Sequence, residues 1–499
     1  MLKHLFIGQL LSAFSCVSLA STLPTNVTNP VTSGHKQHWQ CTTAEGAEAQ
    51  QKIVLANFLP AVVFINESQP IPIETRLVQS KTPALSVAVI RQGKLAWSAA
   101  WGNLTQGGSK ADCHSLFQAG SLAKPVTLFA TLRMKQKALL NIDENIDHYL
   151  KSYHLPAGVQ TAGNPVSMRN ILAHTSGITA GGYDGYPNGQ ALPTDLQTVL
   201  AEPPANGRKV EVVNAPNSGV RYSGGGYTVL EIALQDRFAM PFDQLLQNWV
   251  LTPFGMKQAK FTQPIPTSYY PLIARGHTAQ GSMVAGGWHN HPEQAAAGLW
   301  ATPSDMANFL IELRQAYLGK SKLISKATMT EFLANPIDGH AYGFRLIGEK
   351  DQIFITHYGG TAGYRVGMTM NLETGDGAVY MSNSDNGSSL GSEFLGAVSR
   401  TYNWPWFRET QVKRQTQTIE ALQALAGQYV FTEQGWKIQI AFENNILAII
   451  FPNGDRYAMT PIVGDGLAFI HADTGVRASF EVTGDSTKVQ LYGQTGTKQ

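Results

Sequence analysis

Apolar positions along this 499-residue chain follow two rhythms. In ALSVAVIRQGKLAWSAAWG (84–102), apolar and β-branched residues run almost unbroken on either side of Gln92-Gly93, which predicts two strands joined in a hairpin. After Ser121 the rhythm changes: Val126, Phe129, Leu132, Leu139 and Leu140 recur at roughly helical spacing. VSMRNILAHTSGI (166–178) predicts a second helix ending at Gly177, and the Gly-, Pro- and Asn-rich stretch 179–221 predicts long loops. YTVLEIALQDRF (227–238) is helical again. TPSDMANFLIELRQAY (302–317) opens with Thr302 or Ser304 followed by an acid, a strong helix start. Between 342 and 382 the strand pattern returns in YGFRLIG, IFITHYG, YRVGMTMNL and GAVYMSN. Strands therefore open and close this region with helices between them, which predicts an α+β fold whose antiparallel sheet joins the two ends of the segment. Past the Pro- and charge-bearing stretch NWPWFRETQVKRQTQ (403–417), short alternating strands separated by turn residues fill 426–493, which predicts a small β-sandwich or barrel.

These rhythms divide the chain into a leader (1–20), a lead-in (21–70), an α+β domain (71–405), a linker (406–420) and a C-terminal all-β domain (421–499). The leader, MLKHLFIGQLLSAFSCVSLA, has Lys3, an apolar stretch, and small residues Ser18 and Ala20 suited to cleavage after Ala20. It predicts export, to the periplasm or outside the cell; an uncleaved anchor is the other reading of the same residues. No later stretch is apolar for long enough to span a membrane. The formal charge of +2 and the lack of a basic block argue against nucleic acid as a partner. Cys41 and Cys113 form one disulfide or remain two thiols. Neither has a partner at metal-ligand spacing, and His289-Asn-His291 lacks a third ligand, so no metal or other cofactor is expected.

Ser121 and Lys124 form a Ser-x-x-Lys pair after Gly120 and just ahead of an apolar helix. Pro125, which lacks an N–H, belongs in that helix's first turn. Residues three apart share a face, so the Lys124 amine can reach the Ser121 hydroxyl and accept its proton. A helix-capping serine beside a solvated lysine fits the same residues, and a second Ser-x-x-Lys at Ser33–Lys36 has no apolar helix behind it. Two later motifs change the balance. RYSGGGY holds Tyr222-Ser223, and ITHYGGTAGYRVGM places His357 before Gly359 and Gly360 at the end of a predicted strand.

This ordered set, Ser-x-x-Lys, Tyr-Ser-x and His-x-Gly, resembles the serine β-lactamase and penicillin-binding protein superfamily. The likeness is to its class C-like branch of serine hydrolases, which includes esterases and D-amino-acid peptidases. SVAVIRQGKLAWSAAWG, ILAHTSGI and AAAGLWATPSDMANFL resemble the same branch, and the resemblance covers about 70–400. The C-terminal β segment resembles the lipocalin-like domain appended to some members. The resemblance implies that Ser121 is the acylated nucleophile and that Lys124 and Tyr222 share the general-base work. It implies an oxyanion hole made by the backbone N–H groups of Ser121 and Gly360, with Gly359 letting the strand pass close to substrate. His357 stands where many members carry Lys, in reach of Tyr222 or a substrate carboxylate. With a reference pKa of about 6.5 it is mostly neutral at pH 7 and expected to titrate between about pH 5 and 7. Tyr227 and Tyr364 each either line the pocket or pack; Tyr364 is counted with Gly359 among the substrate-binding candidates.

Two departures from the pattern argue against efficient β-lactam hydrolysis. Gly224 replaces the Asn of Tyr-x-Asn, and His357 replaces Lys. His174 in AHTSG reads as a structural histidine at a helix end, and Glu331-x-x-x-Asn335 as surface. The absence of G-x-S-x-G argues against an α/β-hydrolase. The reading is an exported serine hydrolase that forms an acyl-enzyme with an ester, a D-amino peptide or amide, or a β-lactam-like small molecule. The alternative is a non-catalytic or weakly catalytic penicillin-binding or sensor protein of the same fold. A third reading makes the C-terminal domain a binder of lipid or glycan, or a restriction on the active site. Oligomeric state stays open.

Overall fold

A computed structural model describes residues 41–349, 352–431, 436–452, 454, 456–484 and 486–499; the leader and Ser33–Lys36 lie outside them. The described chain divides into two compact units. One takes the residues up to Phe58 with Pro70–Arg408, and the other takes Leu59–Gln69 with Glu409–Gln499. The stretch read as lead-in is thus partly structured: it holds α1 (Glu48–Ala56) and β1 (Val62–Phe64), and β1 belongs to the second unit. Cys41 is joined to Cys113 in a disulfide within the first unit.

In the first unit, β2 (Ala84–Arg91), β3 (Lys94–Gly102), β4 (His340–Ala341), β5 (Phe344–Ile347), β6 (Phe354–Thr361), β7 (Tyr364–Asn371) and β8 (Gly377–Ser382) build one seven-stranded sheet. Its order is β3-β2-β8-β7-β6-β5-β4, and every pairing is antiparallel. The hairpin expected at Gln92-Gly93 is there. Both residues take positive φ (51° and 75°), as a tight two-residue hairpin turn requires. Its first strand pairs with β8, Leu85 opposite Ser382, so the sheet does join the two ends of the segment.

Helices cover both faces. On one side lie α2 (Ala123–Gln136), α3 (Met168–Leu172), α4 (Gly224–Phe238), α5 (Gln294–Ala297), α6 (Pro303–Tyr317) and α7 (Lys326–Ala334); α8 (Gly387–Tyr402) packs with α1 on the other. Strand β2 shows why its sequence is apolar throughout. Ala84, Ala88 and Ile90 enter the larger core, while Leu85, Val87 and Val89 join Trp97 and Phe394 in the smaller one. Helix α6 starts where its sequence says: Thr302 Oγ1 accepts from the Asp305 N–H at 3.1 Å, and Asp305 Oδ2 accepts from the Thr302 N–H at 3.1 Å. Helix α3 stops five residues short of the expected Gly177, because His174 turns the chain with φ 58°.

In the second unit β1 pairs in parallel with β9 (Thr410–Val412). The strands β10 (Gly427–Phe431), β11 (Trp436–Glu443), β12 (Ile446–Ile450), β13 (Arg456–Ile462), β14 (Leu467–His471), β15 (Arg477–Thr483), β16 (Ser486–Leu491) and β17 (Gln494–Lys498) form a closed barrel, with β10 closing on β17. Inward and outward positions alternate; Ile438 and Ile440 are buried while Lys437 and Gln439 are exposed. Tyr429, Phe431, Leu447, Phe469, Phe480 and Leu491 fill the interior. Among the described residues, no helix is long and apolar enough to cross a membrane.

Candidate active site

The Ser121 turn is built by glycines that let two backbones meet. Gly120–Leu122 makes one 3₁₀ turn into α2, and Gly120 has φ 50°. A Cβ on Gly120 would lie 2.9 Å from both N and O of Gly360. A Cβ on Gly359 would lie 2.2 Å from the Ala119 carbonyl and 3.1 Å from the Ser121 nitrogen. Strand β6 therefore passes directly against the turn, which no side chain at 120 or 359 would allow. Thr361 Oγ1 fastens the contact by donating to Gln118 Oε1 at 2.7 Å. The same contact brings the backbones of Ser121 and Gly360 to one place.

Lys124 is the polar centre of the site. It is 3% exposed, and its Nζ donates to Ser121 Oγ at 3.3 Å and to the Ala296 carbonyl of α5 at 2.8 Å. The same Nζ lies 4.8 Å from the ring centroid of Tyr222 and 5.7 Å from that of Tyr227. Tyr222 immediately precedes the start of α4, whose cap is Ser223, with its Oγ accepting from the Gly226 N–H at 2.8 Å. So Ser121 and Tyr222 are both delivered by helix starts, and Lys124 lies between them. At Gly224 the ring of Tyr183 packs closely: a Cβ there would be 3.1 Å from Tyr183 Cε2. The Tyr183 hydroxyl is bonded to Thr228 Oγ1 at 2.8 Å.

His357 lies on β6, 5% exposed, two residues before Gly359 on the same strand. Its Nδ1–H donates to the Tyr358 carbonyl at 2.9 Å, so in the neutral ring Nε2 is an acceptor. Burial, then the nearby Lys124, pushes the imidazole down to about 3. The titration expected between pH 5 and 7 is therefore displaced. Desolvation outweighs the ordinary basicity of the ring, and His357 is neutral across that window.

Of three further residues, Tyr364 and His174 read differently in the structure and Glu331 stays at the surface. Tyr364, expected to bind substrate, is fully buried; its hydroxyl donates to the Ala274 carbonyl at 2.6 Å and its ring packs edge-on to Trp300. It is a core residue. Glu331 makes ion pairs with Lys135 and, at 2.8 Å, with Arg169. His174, read as merely structural, is 2% exposed and stacks on Tyr222 with ring centroids 4.3 Å apart. Tyr227 packs against it at 5.4 Å. The one sequence cue to His174 is its place just before a loop-rich stretch that ends at Tyr222.

Behind Lys124 lies a second polar group that sequence reading missed. Glu231 on α4, 0% exposed, accepts from the Ala295 N–H at 2.8 Å and so holds α5, whose Ala296 carbonyl holds Lys124. His291 Nδ1 and Glu293 Oε2 are 3.8 Å apart and almost wholly buried. Burial, with Asp195 adding, pushes the Glu293 carboxyl up to about 8, and burial with His289 and Lys124 pushes His291 down to about 3. Both are neutral at pH 7, so their contact is not an ion pair. Among the described residues no cluster of His, Cys, Asp and Glu is arranged to hold a metal ion.

The Beta-lactamase family model matches residues 72–394. Penicillin-binding protein 4* of Bacillus subtilis (strain 168) is 21% identical over 414 residues, spanning 77% of this chain and 87% of that protein. Among solved structures, the octameric penicillin-binding protein homologue from Pyrococcus abyssi superposes with a TM-score of 0.59 at 16% identity, covering 85% of this chain and 98% of its own. The beta-lactamase/D-alanine carboxypeptidase from Yersinia pestis complexed with citrate gives 0.51 at 18% identity, covering 72% and 99%. The chain belongs to the beta-lactamase family, within the serine β-lactamase and penicillin-binding protein superfamily. That is a family of serine hydrolases, carried here on an α+β unit followed by a closed β-barrel.

Proposed function

We propose that this protein is an exported serine hydrolase that works through an acyl-enzyme on Ser121, with uncharged esters or amides as its preferred substrates. The observation that carries the reading is the 3.3 Å contact between buried Lys124 Nζ and Ser121 Oγ at the head of α2. Lys124 and Tyr222 take the Ser121 proton as Oγ bonds to the substrate carbonyl carbon, and the proton passes to the departing oxygen or nitrogen. Water, deprotonated by the same pair, then attacks the acyl carbon and returns the proton to Oγ. The N–H groups of Ser121 and Gly360 stabilise the oxyanion in both steps. The substrate preference is supported by His357, a neutral acceptor where a cation would attract a carboxylate. It is further supported by Gly224, which offers no side-chain amide to grip a peptide or β-lactam carbonyl. A D-alanine carboxypeptidase activity, for which the Yersinia pestis protein is named, would have to manage here without that cation. Export is supported by the pattern of the first 20 residues and by the Cys41–Cys113 disulfide.

A panel of p-nitrophenyl esters, D-amino-acid amides and a chromogenic cephalosporin, run on the parent and on Ser121→Ala, tests this. Ester turnover that falls by on the order of 10³ or more in Ser121→Ala is the expected result. A burst without steady turnover would mark an acylated sensor instead, and turnover that survives in Ser121→Ala would overturn the assignment.

A further inference from the structure

We propose that His174 is a positioning residue for Tyr222: it grips the backbone on both sides of the tyrosine and supports its ring, holding the phenol beside Lys124 and Ser121. The inference rests on the role given to Tyr222 above and adds a residue that the reaction itself does not use.

The grip is made by one residue. The His174 carbonyl accepts from the Arg221 N–H at 2.7 Å, and its Nδ1 accepts from the Ser223 N–H at 3.2 Å. The residues immediately before and after Tyr222 are thus both tied to His174. Tyr222 itself is 41% exposed, so packing alone does not fix it. The stacked imidazole, 4.3 Å away and inclined by 33°, covers one side of its ring. Lys124 Nζ lies 4.8 Å from the same ring.

Two features show that the position is built for this task. His174 holds φ 58°, a left-handed conformation that a side-chain-bearing residue rarely adopts and that persists only where surrounding contacts compel it. That turn ends α3 early and swings the imidazole back toward Ser223. The ring must also remain neutral, since a protonated Nδ1 could not accept from Ser223. The groups around it favour this: burial first, then Lys124 from α2, His357 from β6 and His340 from β4 hold its pKa well below the usual value, and Tyr222 and Tyr227 add no positive charge. The ring is thus held in the neutral form that the contact with Ser223 needs.

The two contributions can be separated by substitution. His174→Asn keeps a residue that tolerates positive φ and keeps an acceptor near the Nδ1 position, but loses the ring. His174→Phe keeps a ring and leaves the buried Ser223 N–H without its acceptor. The test is a cycle on ester turnover in which each variant is made alone and in Tyr222→Phe, with thermal midpoints measured alongside. In the parent background His174→Phe should lower kcat by about 10- to 100-fold with KM changed less than about 3-fold, and His174→Asn should lose less. In the Tyr222→Phe background both losses should shrink to about 2-fold or less, because the hydroxyl being positioned is gone. Equal losses in both backgrounds, tracking the thermal midpoint, would show a purely structural histidine and overturn the proposal. A Tyr222→Phe protein as active as the parent would overturn it too, and would place the failure in the role given to Tyr222. If His174→Phe does not fold, His174→Asn alone decides by the same comparison.

Discussion

The two units use antiparallel strands to opposite ends. The barrel closes its sheet on itself, so that every strand has two neighbours and the interior is filled by Tyr429, Phe431, Phe469, Phe480 and their neighbours. The seven-stranded sheet stays open and lets β6 run past the end of its pairing with β5 to the Ser121 turn, where Gly359 and Gly120 allow backbone to meet backbone. In the barrel, buried polar groups are scarce among the described residues. Around the sheet, Lys124, His174, His357, His291, Glu231 and Glu293 are all buried close to one another or to shared helices. Among the described residues, buried polar groups thus gather around the sheet, near the junction of strand end and helix start.

Substitutions can probe that contrast in graded steps. The greatest change belongs to the barrel. Phe480→Ala, deep among the packed interior residues, should cost about 3–5 kcal/mol of that unit's stability and leave ester turnover within about 2-fold. A loss of turnover without a stability change would mean that the barrel contributes to catalysis. Next comes the polar group behind Lys124. Glu293 has a folded-state pKa of about 8 against an ordinary value of 4.5, so the folded chain holds a proton there that the unfolded chain gives up. Stability from this group is full below about pH 4.5 and is lost as pH rises through 8. Glu293→Gln should thus gain on the parent by a few kcal/mol between pH 5 and 8, at about 1.4 kcal/mol for each step of one in pH, and gain no more above that, read from denaturant midpoints. A difference that stays constant with pH would contradict the buried neutral carboxyl. The most modest effect is on selectivity. His357→Lys should raise kcat/KM for carboxylate-bearing substrates over neutral esters by several-fold, while the parent's own profile shows no limb from His357 between pH 5 and 7. An unchanged substrate ratio would show that His357 does not face the substrate.

Much of this is legible in the chain. The hairpin at Gln92-Gly93, the capped start of α6 and the antiparallel sheet joining both ends of the segment all rest on local signals that act within a few residues. The approach of Ser121 and Lys124 is of the same kind, being one helix turn. What cannot be read is set by residues far apart. Segment 59–69 leaves its sequence neighbours to pair with Thr410–Val412, and nothing in VVF announces that partner. His174 reads as the end of a helix because its hydrogen bonds from Arg221 and Ser223 form only when those residues fold back over a long loop. Tyr364 sits beside the glycine motif in sequence but points into the core, since alternate residues of a strand face opposite ways. The pKa of His357 follows from burial, which the sequence does not display.

Whether Ser121 carries the acyl group can be read by treating the protein with a fluorophosphonate, digesting it and locating the adduct by mass spectrometry. One adduct per chain is expected, on the peptide containing Ser121, absent from Ser121→Ala and slowed when Lys124 is replaced by Ala. An adduct on any other serine, or full labelling of the Ser121→Ala protein, would contradict the assignment.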